Sequence, residues 1–197
     1  MNNQSGERQL QEQMGTKERA DHFYTRHLHT KLNPRMIGLI GRQEMVFIAT
    51  SDGEGNCDSS PRFGSPGFIQ VLNPRTLAYP EFRGNGVYAS LGNIIENPHI
   101  GMVFVDFFDS TVGLHVNGKA NSYLPDDLPA DVQPHLTLNK EEKTRAIERW
   151  VIISIDEAYI HCSKHVPKLQ KLGKNIDWGT DDPKAKATEF FNEDNLI

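Results

Sequence analysis

The chain has little that would tie it to a membrane or to an oxidising compartment. No apolar run approaches the roughly 20 residues that span a bilayer, and the first 15 residues lack the basic start and apolar middle of a signal peptide. The two cysteines, Cys57 and Cys162, are too few for a disulfide framework. These absences predict a cytoplasmic protein with no membrane partner.

Basic residues are also scarce. Lysine and arginine number 21 against 26 aspartates and glutamates, which gives a net charge of −5. This balance argues against a nucleic-acid partner, which usually requires a basic patch. Neither a phosphate-binding Walker loop nor a Gly-x-Gly-x-x-Gly element after a strand occurs. The 197 residues suit one domain with a sizeable core.

The pattern of polar and apolar residues predicts a tail, one domain and an arm. Residues 1–15 are polar and predict a mobile tail, residues 16–167 form the domain, and residues 168–197 form a C-terminal arm. Inside the domain, a helical stripe covers residues 16–31. Asn33 before Pro34 then predicts a capped second helix that ends at Gly41.

Short apolar segments separated by turn residues follow these helices. They predict strands at residues 45–51, 57–62, 68–72, 76–79, 100–107, 112–122 and 151–155. A helix is predicted at 87–96, a loop at 123–138 and a helix start at 139–142. Many short antiparallel strands favour a barrel, because closure removes exposed sheet edges.

An anion site is the main chemical candidate in residues 59–93. Arg62, Arg83 and Asn85 combine cationic forks with a glycine-rich turn at a predicted helix entrance, where backbone N–H groups point outward. Ser90 and Asn93 lie one and two turns further on and add a hydroxyl and an amide. The same composition also describes a glycine-rich surface turn with a solvated arginine, and spacing alone leaves both interpretations open.

Two sequence patterns suggest metal sites, but both are weaker than the pattern for the anion site. The alternating polar residues of 52–58 hint at a calcium loop, but Cys57 and Phe63 stand where that loop needs glycine and glutamate, so a hairpin turn is the better interpretation. His161, Cys162 and His165 lack a nearby fourth zinc ligand and are interpreted as a turn.

Two aromatic side chains receive a structural interpretation. His115 falls in the middle of a predicted strand, which is typical of a half-buried structural histidine. Trp178 lies in the polar arm and is interpreted as an anchor on this chain's surface or on a partner's.

Residues 17–182 resemble the pyridoxamine 5′-phosphate oxidase-like, FMN-binding split-barrel proteins. The resemblance is carried by four segments in this order: Asp58 with the following SSPRFGSPGF, LNPRTLAYPEFRGNGVYASLGNIIENPHIGMVFVDF, GLHVNGKA and AYIHCSKHVPK. It implies a mainly β fold with flanking helices, namely a six-stranded antiparallel split barrel of Greek-key type. It also implies a homodimer with two FMN sites at the subunit interface.

The resemblance further implies an FMN-dependent oxidoreductase that acts on a small-molecule substrate or electron donor. Carried over by position, the cofactor-binding residues are Arg62 on the cofactor-facing strand, Tyr79 and Pro80 beside the flavin ring, Arg83, Asn85, Ser90 and Asn93 around the phosphate, and Lys164 and Trp178 near the flavin. No catalytic acid or base is implied, since flavin hydride transfer often needs none.

Departures from the oxidase limit what the resemblance implies. Gly113-Leu114-His115 occupies the strand where the oxidase has a glutamine, and Arg83-Gly84-Asn85 replaces its Arg-Lys phosphate clamp. FMN binding is therefore expected, but oxidation of pyridoxamine phosphate is not. The alternatives are a non-enzymatic flavin- or haem-binding protein, with His115, His161 and His165 as haem candidates, and a deazaflavin-dependent reductase.

Overall fold

The computed structural model describes residues 5–138 and 146–173 and is built around one antiparallel sheet. Its seven strands are β1 (Met45–Ser51), β2 (Cys57–Phe63), β3 (Gln70–Asn73), β4 (Thr76–Phe82), β5 (His99–Val105), β6 (Gly113–Tyr123) and β7 (Ile147–His161). The helices are α1 (Gly6–Gln13), α2 (Lys17–Arg26), α3 (Pro34–Gly41) and α4 (Ala89–Glu96). In these residues no helix is long and apolar enough to cross a bilayer.

The strand order is β2-β1-β5-β6-β7-β4-β3, so β2 and β3 are the two edges of the sheet. This arrangement confirms the expected class, a mainly β split barrel with flanking helices. The sheet has seven strands rather than the six that the resemblance implied. The four-residue β3 pairs with β4 through a register shift between Val71 and Asn73.

Local sequence signals explain most of the elements. Asn33 caps α3 by accepting a hydrogen bond from the Met36 N–H, and Pro34 takes the first helical position. Asp52 closes the β1–β2 hairpin by accepting hydrogen bonds from the backbone N–H groups of Glu54 and Asn56. Alternation along β1 buries every second side chain against the core.

Two predicted boundaries differ clearly from the structure. Residues 6–13 form α1 inside the predicted tail, because Ser5 caps that helix and Gln11 packs against Tyr24 of α2. Strand β7 runs from Ile147 to His161 rather than over residues 151–155, because it pairs with both β4 and β6.

The predicted loop at 123–138 contains two short 3-10 turns, Pro125–Asp127 and Gln133–His135. The segment packs over Trp150 and is held by Gln70, whose side-chain oxygen accepts a hydrogen bond from the Thr137 N–H at 2.8 Å. The helix start predicted at 139–142 and the arm beyond residue 173 lie outside the described residues.

Two cores sit on opposite faces of the sheet. The larger one fills the barrel and includes Met36, Ile48, Phe104, Leu114 and Tyr79. The smaller one lies under the 123–138 segment. The barrel is open between β2 and β4, which do not pair through their backbones. Side chains link them here, since Arg62 donates a hydrogen bond to Glu81 with 2.9 Å between Nε and Oε2.

Candidate functional site

A cavity of about 400 Å³ lies where β2, β4 and the start of α4 meet. Its lining comes from residues far apart in the sequence: Asp58, Ser60, Arg62, Glu81, Phe82, Gly84, Asn85, Gly86, Tyr88, Ala89, Ser90, Leu91 and Glu148. Strand alternation explains the β2 contribution, because Asp58, Ser60 and Arg62 are spaced two apart and share one face.

The entrance to α4 provides backbone donors. Tyr88 adopts a left-handed conformation, with φ of 55°, at the N-cap position, and its side chain makes no capping hydrogen bond. The first N–H groups of a helix have no intrahelical partners, so a ligand can accept hydrogen bonds from them. Asn85 does not compete for them, since its side-chain oxygen accepts a hydrogen bond from the Val87 N–H. The helix dipole adds positive potential at the same place.

One arginine lines the cavity and a second lies beside it, and each is paired with a carboxylate. Arg62 is mostly buried and binds Glu81, Ser60 and the Pro61 carbonyl. Arg83 is more exposed and lies 3.4 Å from Glu148, measured from Nε to Oε1. Asp58 accepts a hydrogen bond from the Ser90 hydroxyl at 2.7 Å. In the described part of the site, three carboxylates thus face two guanidinium groups.

Burial raises the pKa of two acidic groups in this cluster. Burial raises the pKa of Glu81, although the neighbouring Arg62 lowers it in part. Tyr79 is fully buried behind this pair, and burial also raises its pKa. The Tyr79 hydroxyl makes no hydrogen bond of full geometry to the described residues, but it lies close to the Arg62 guanidinium, which lowers the pKa of Tyr79 in part.

The structure brings some of the predicted residues together. Arg62, Asn85 and Ser90 line the cavity, and Arg83 lies beside it through Glu148. Tyr79 and Pro80 are buried on β4.

Asn93, Lys164 and Trp178 are not placed at the cavity. The Asn93 amide donates to the Thr50 hydroxyl at 3.1 Å, and Lys164 lies exposed in a 3-10 turn after β7. Trp178 lies outside the described residues. Their roles at a cofactor stay predictions.

Sequence reasoning missed the carboxylates of the site. Asp58 lies inside the strand predicted at 57–62 but was not assigned to this site, and Glu81 follows the strand predicted at 76–79. Glu148 belongs to the part of β7 that was not predicted. The spacing Asp58-x-Ser60-x-Arg62 was a usable signal, because it places three polar side chains on one face of a strand.

Two histidines meet at a second place. His115 on β6 and His161 at the end of β7 lie 2.9 Å apart between Nε2 and Nδ1. The His161 ring occupies space that only a glycine at position 113 leaves open, since a Cβ there would lie 1.9 Å from it. Burial, and then the neighbouring His161, lower the pKa of His115. No group of three or more metal-ligating side chains was found in the described chain.

Comparisons with known proteins agree with the fold. A family profile described as "Pyridoxamine 5'-phosphate oxidase" matches residues 32–162, which is more than half of the chain. HupZ of Group A Streptococcus aligns at 20% identity over 71% of this chain and 99% of that one, with a TM-score of 0.51. A single-residue variant of HupZ aligns at 21% identity over 66% and 98%, with a TM-score of 0.50.

A further solved structure, an FMN-binding protein from Syntrophomonas wolfei subsp. wolfei, aligns at 11% identity over 76% of this chain and 97% of that one, with a TM-score of 0.46. Among curated proteins, none matches this chain significantly.

Proposed function

The chain belongs to the pyridoxamine 5′-phosphate oxidase family, and we propose that it is an FMN-binding flavoprotein that acts as an oxidoreductase on a small molecule. The observation that carries the proposal is the cavity at the uncapped start of α4, where Arg62, Asn85 and Ser90 converge. A helix entrance with nearby arginines is a phosphate-binding arrangement.

The donor set fits the ribityl phosphate of FMN. Open N–H groups at α4 and the guanidinium groups of Arg62 and Arg83 suit the phosphate, while carboxylates accept hydrogen bonds from hydroxyl groups. Asp58 and Glu148 are therefore suited to the ribityl chain. When bound, the flavin would supply hydride and electron transfer. The protein's own part is to bind the cofactor, orient it and shield it from water.

We also propose that the protein is a homodimer whose subunits meet at the outer face of the barrel. Strand alternation places Phe47 and Phe63 on this face, and they are 39% and 43% exposed. Ala49, Gly101 and Val103 continue the face across β1 and β5. A surface with these apolar residues is typical of an interface core.

A second candidate is a non-enzymatic binding protein for haem. The adjacent imidazoles of His115 and His161 on the barrel exterior favour it, because imidazole is a common axial ligand of haem iron. Their facing nitrogens are hydrogen-bonded to each other, so the other nitrogen of either ring would bind the iron.

Identification of the copurifying cofactor tests these candidates. We expect the purified protein to show the two flavin absorbance bands, and mass spectrometry of the released cofactor to give FMN. A Soret band would support haem instead, and a released deazaflavin would assign the protein to the deazaflavin-dependent reductases. A screen of nicotinamide donors with oxygen or quinone acceptors then tests for turnover.

A further inference from the structure

The cavity proposed for the phosphate already contains its own anions. Each arginine that would bind a phosphate is paired with a carboxylate, Arg62 with Glu81 and Arg83 with Glu148. A phosphate that approaches these arginines competes with the carboxylates for the same N–H donors. It also meets their negative charge.

The two ion pairs differ in how easily they can separate. The Arg83 side chain is 44% exposed and can turn from Glu148 toward a ligand in solvent. The side chains of Arg62 and Glu81 are only 17% and 16% exposed. Separating this pair would leave an unpaired carboxylate in a poorly solvated place, which is costly while that carboxylate is ionised.

The groups around Glu81 cannot replace Arg62 as a counter-ion. Arg149 of β7 stands opposite Glu81 in the strand register, but its guanidinium donates to the side chain and the carbonyl of Ser122. Arg83 is already paired with Glu148 of β7, which adds negative charge near Glu81. Asp58 of β2 is a further carboxylate in the lining, and Tyr79 on β4 is neutral. A proton is therefore the simplest way to neutralise Glu81 once Arg62 has turned to a phosphate.

We infer that Glu81 is the internal counter-ion of Arg62, and that phosphate binding in this cavity displaces it and transfers one proton from solvent to its carboxylate. The inference rests on the proposed function, because it takes the phosphate of FMN as the incoming group. The proton comes from a hydronium ion or a buffer acid, whose bond to it breaks as the O–H bond of Glu81 forms, and no other covalent bond changes. The raised pKa of Glu81 in the free protein is consistent with this proton uptake.

The sign of the pH dependence follows from linkage. A ligand that raises the pKa of a carboxyl group binds more tightly as the pH falls, because the protonated form is the one that binds. One coupled proton changes the dissociation constant by up to about tenfold per pH unit between the free and bound pKa values. Glu81 also makes the cavity selective for ligands that carry a phosphate, since the binding of a neutral ligand gains nothing from protonation of Glu81.

The test is FMN titration of the full chain between about pH 5.5 and pH 8.5, for wild type, Glu81→Gln and Glu54→Gln. Glu54 lies exposed in the β1–β2 turn, so its substitution changes the net charge equally without touching the cavity. We expect Glu81→Gln to bind FMN about tenfold more tightly than wild type near the upper end of this range. Its affinity should depend less on pH, and Glu54→Gln should behave like wild type. The FMN phosphate itself ionises with a second pKa of about 6, and this affects FMN binding to all three proteins alike.

A second measurement needs no variant. Calorimetry of FMN binding to wild type at about pH 7.5, in buffers of different ionisation enthalpy, reports the protons taken up when the phosphate is already mostly dianionic. Net uptake supports the inference. Absence of uptake, or a folded Glu81→Gln variant with wild-type affinity and pH slope, overturns it while leaving FMN binding intact. A protein that binds no FMN at any pH overturns the proposed function itself.

Discussion

At the scale of single residues, the pairing of each arginine with a carboxylate dominates this site. Arg62 is paired with Glu81 and Arg83 with Glu148. Of the two arginines, Arg83 is the more exposed, so its pair is the one that opens more easily to a ligand.

Arg83 therefore offers a direct test at this scale. Replacing Arg83 with alanine removes a charge-assisted contact to the phosphate, worth about 1.5–3 kcal/mol. We therefore expect FMN affinity to fall roughly tenfold to a hundredfold, as measured by fluorescence titration. Arg75→Ala is the matched control, since Arg75 is exposed at the β3–β4 turn and bonds to Thr30. Unchanged FMN affinity in a folded Arg83→Ala variant would show that Arg83 does not contact the phosphate.

The sequence predicted Arg62, Asn85 and Ser90 as site residues, and the structure places all three in the lining of one cavity. The carboxylates opposite the arginines were not predicted, because Glu81 and Glu148 reach the cavity through strand pairing and across the opening between β2 and β4.

At the scale of elements, the helices and strands that adjacent residues specify were predicted with their ends, and those that depend on distant partners were not. Helix α3 was predicted with its cap, and the β1–β2 hairpin with its turn, because both are specified by a few adjacent residues. The extent of β7 was underestimated, because polar residues at both of its ends are held in the strand by β4 and β6 rather than by their own preference.

The pairing of β6 with β7 contains a testable contact at Gly118. A Cβ at Gly118 would lie 2.2 Å from the Ser154 carbonyl oxygen, and backbone cannot move aside as a side chain can. Because the strands would have to separate locally, we expect Gly118→Ala to lower the free energy of unfolding by about 1–3 kcal/mol or more. Urea denaturation measures this loss.

Gly92→Ala is the matched control, and we expect it to raise stability in the same urea denaturation. Gly92 lies in α4, and apart from its chain neighbours and the backbone of its own helix no described atom comes within 4 Å of the position that a Cβ would take, so alanine fits there. Helix propensity alone predicts a gain of about 0.5–1 kcal/mol for Gly92→Ala. Equal stability of the two variants would contradict the proposed role of the β6–β7 contact.

For the whole molecule, the class of fold was predictable while the strand order was not. The run of short strands favoured a barrel, and the resemblance supplied the split-barrel architecture with one strand too few. The neighbours of each strand were not predictable from residue patterns, because pairings such as β1 with β5 join segments that are distant in the sequence.

The proposed dimer is tested at this scale with Phe47→Glu. A charge at the centre of the exposed sheet face should prevent the burial of that face, so we expect sedimentation to shift from dimer to monomer. The family resemblance implies FMN sites at the subunit interface, so we expect FMN binding to weaken in the same variant. Ile95→Glu is the control, since Ile95 is 77% exposed on α4, away from this face. A wild-type monomer that binds FMN fully would contradict the interface site.

The charged residues that line the cavity also affect the association of this protein with other copies of itself. Strand β2 is an open edge, and a flat apolar edge invites pairing with another chain. Asp58 and Arg62 place charges on its inner face, and Pro61 removes one backbone donor. The β2 residues proposed to recognise the ligand are therefore also the ones that disfavour pairing of this edge with another chain. We expect apolar replacements of Asp58 and Arg62 to increase edge-to-edge association.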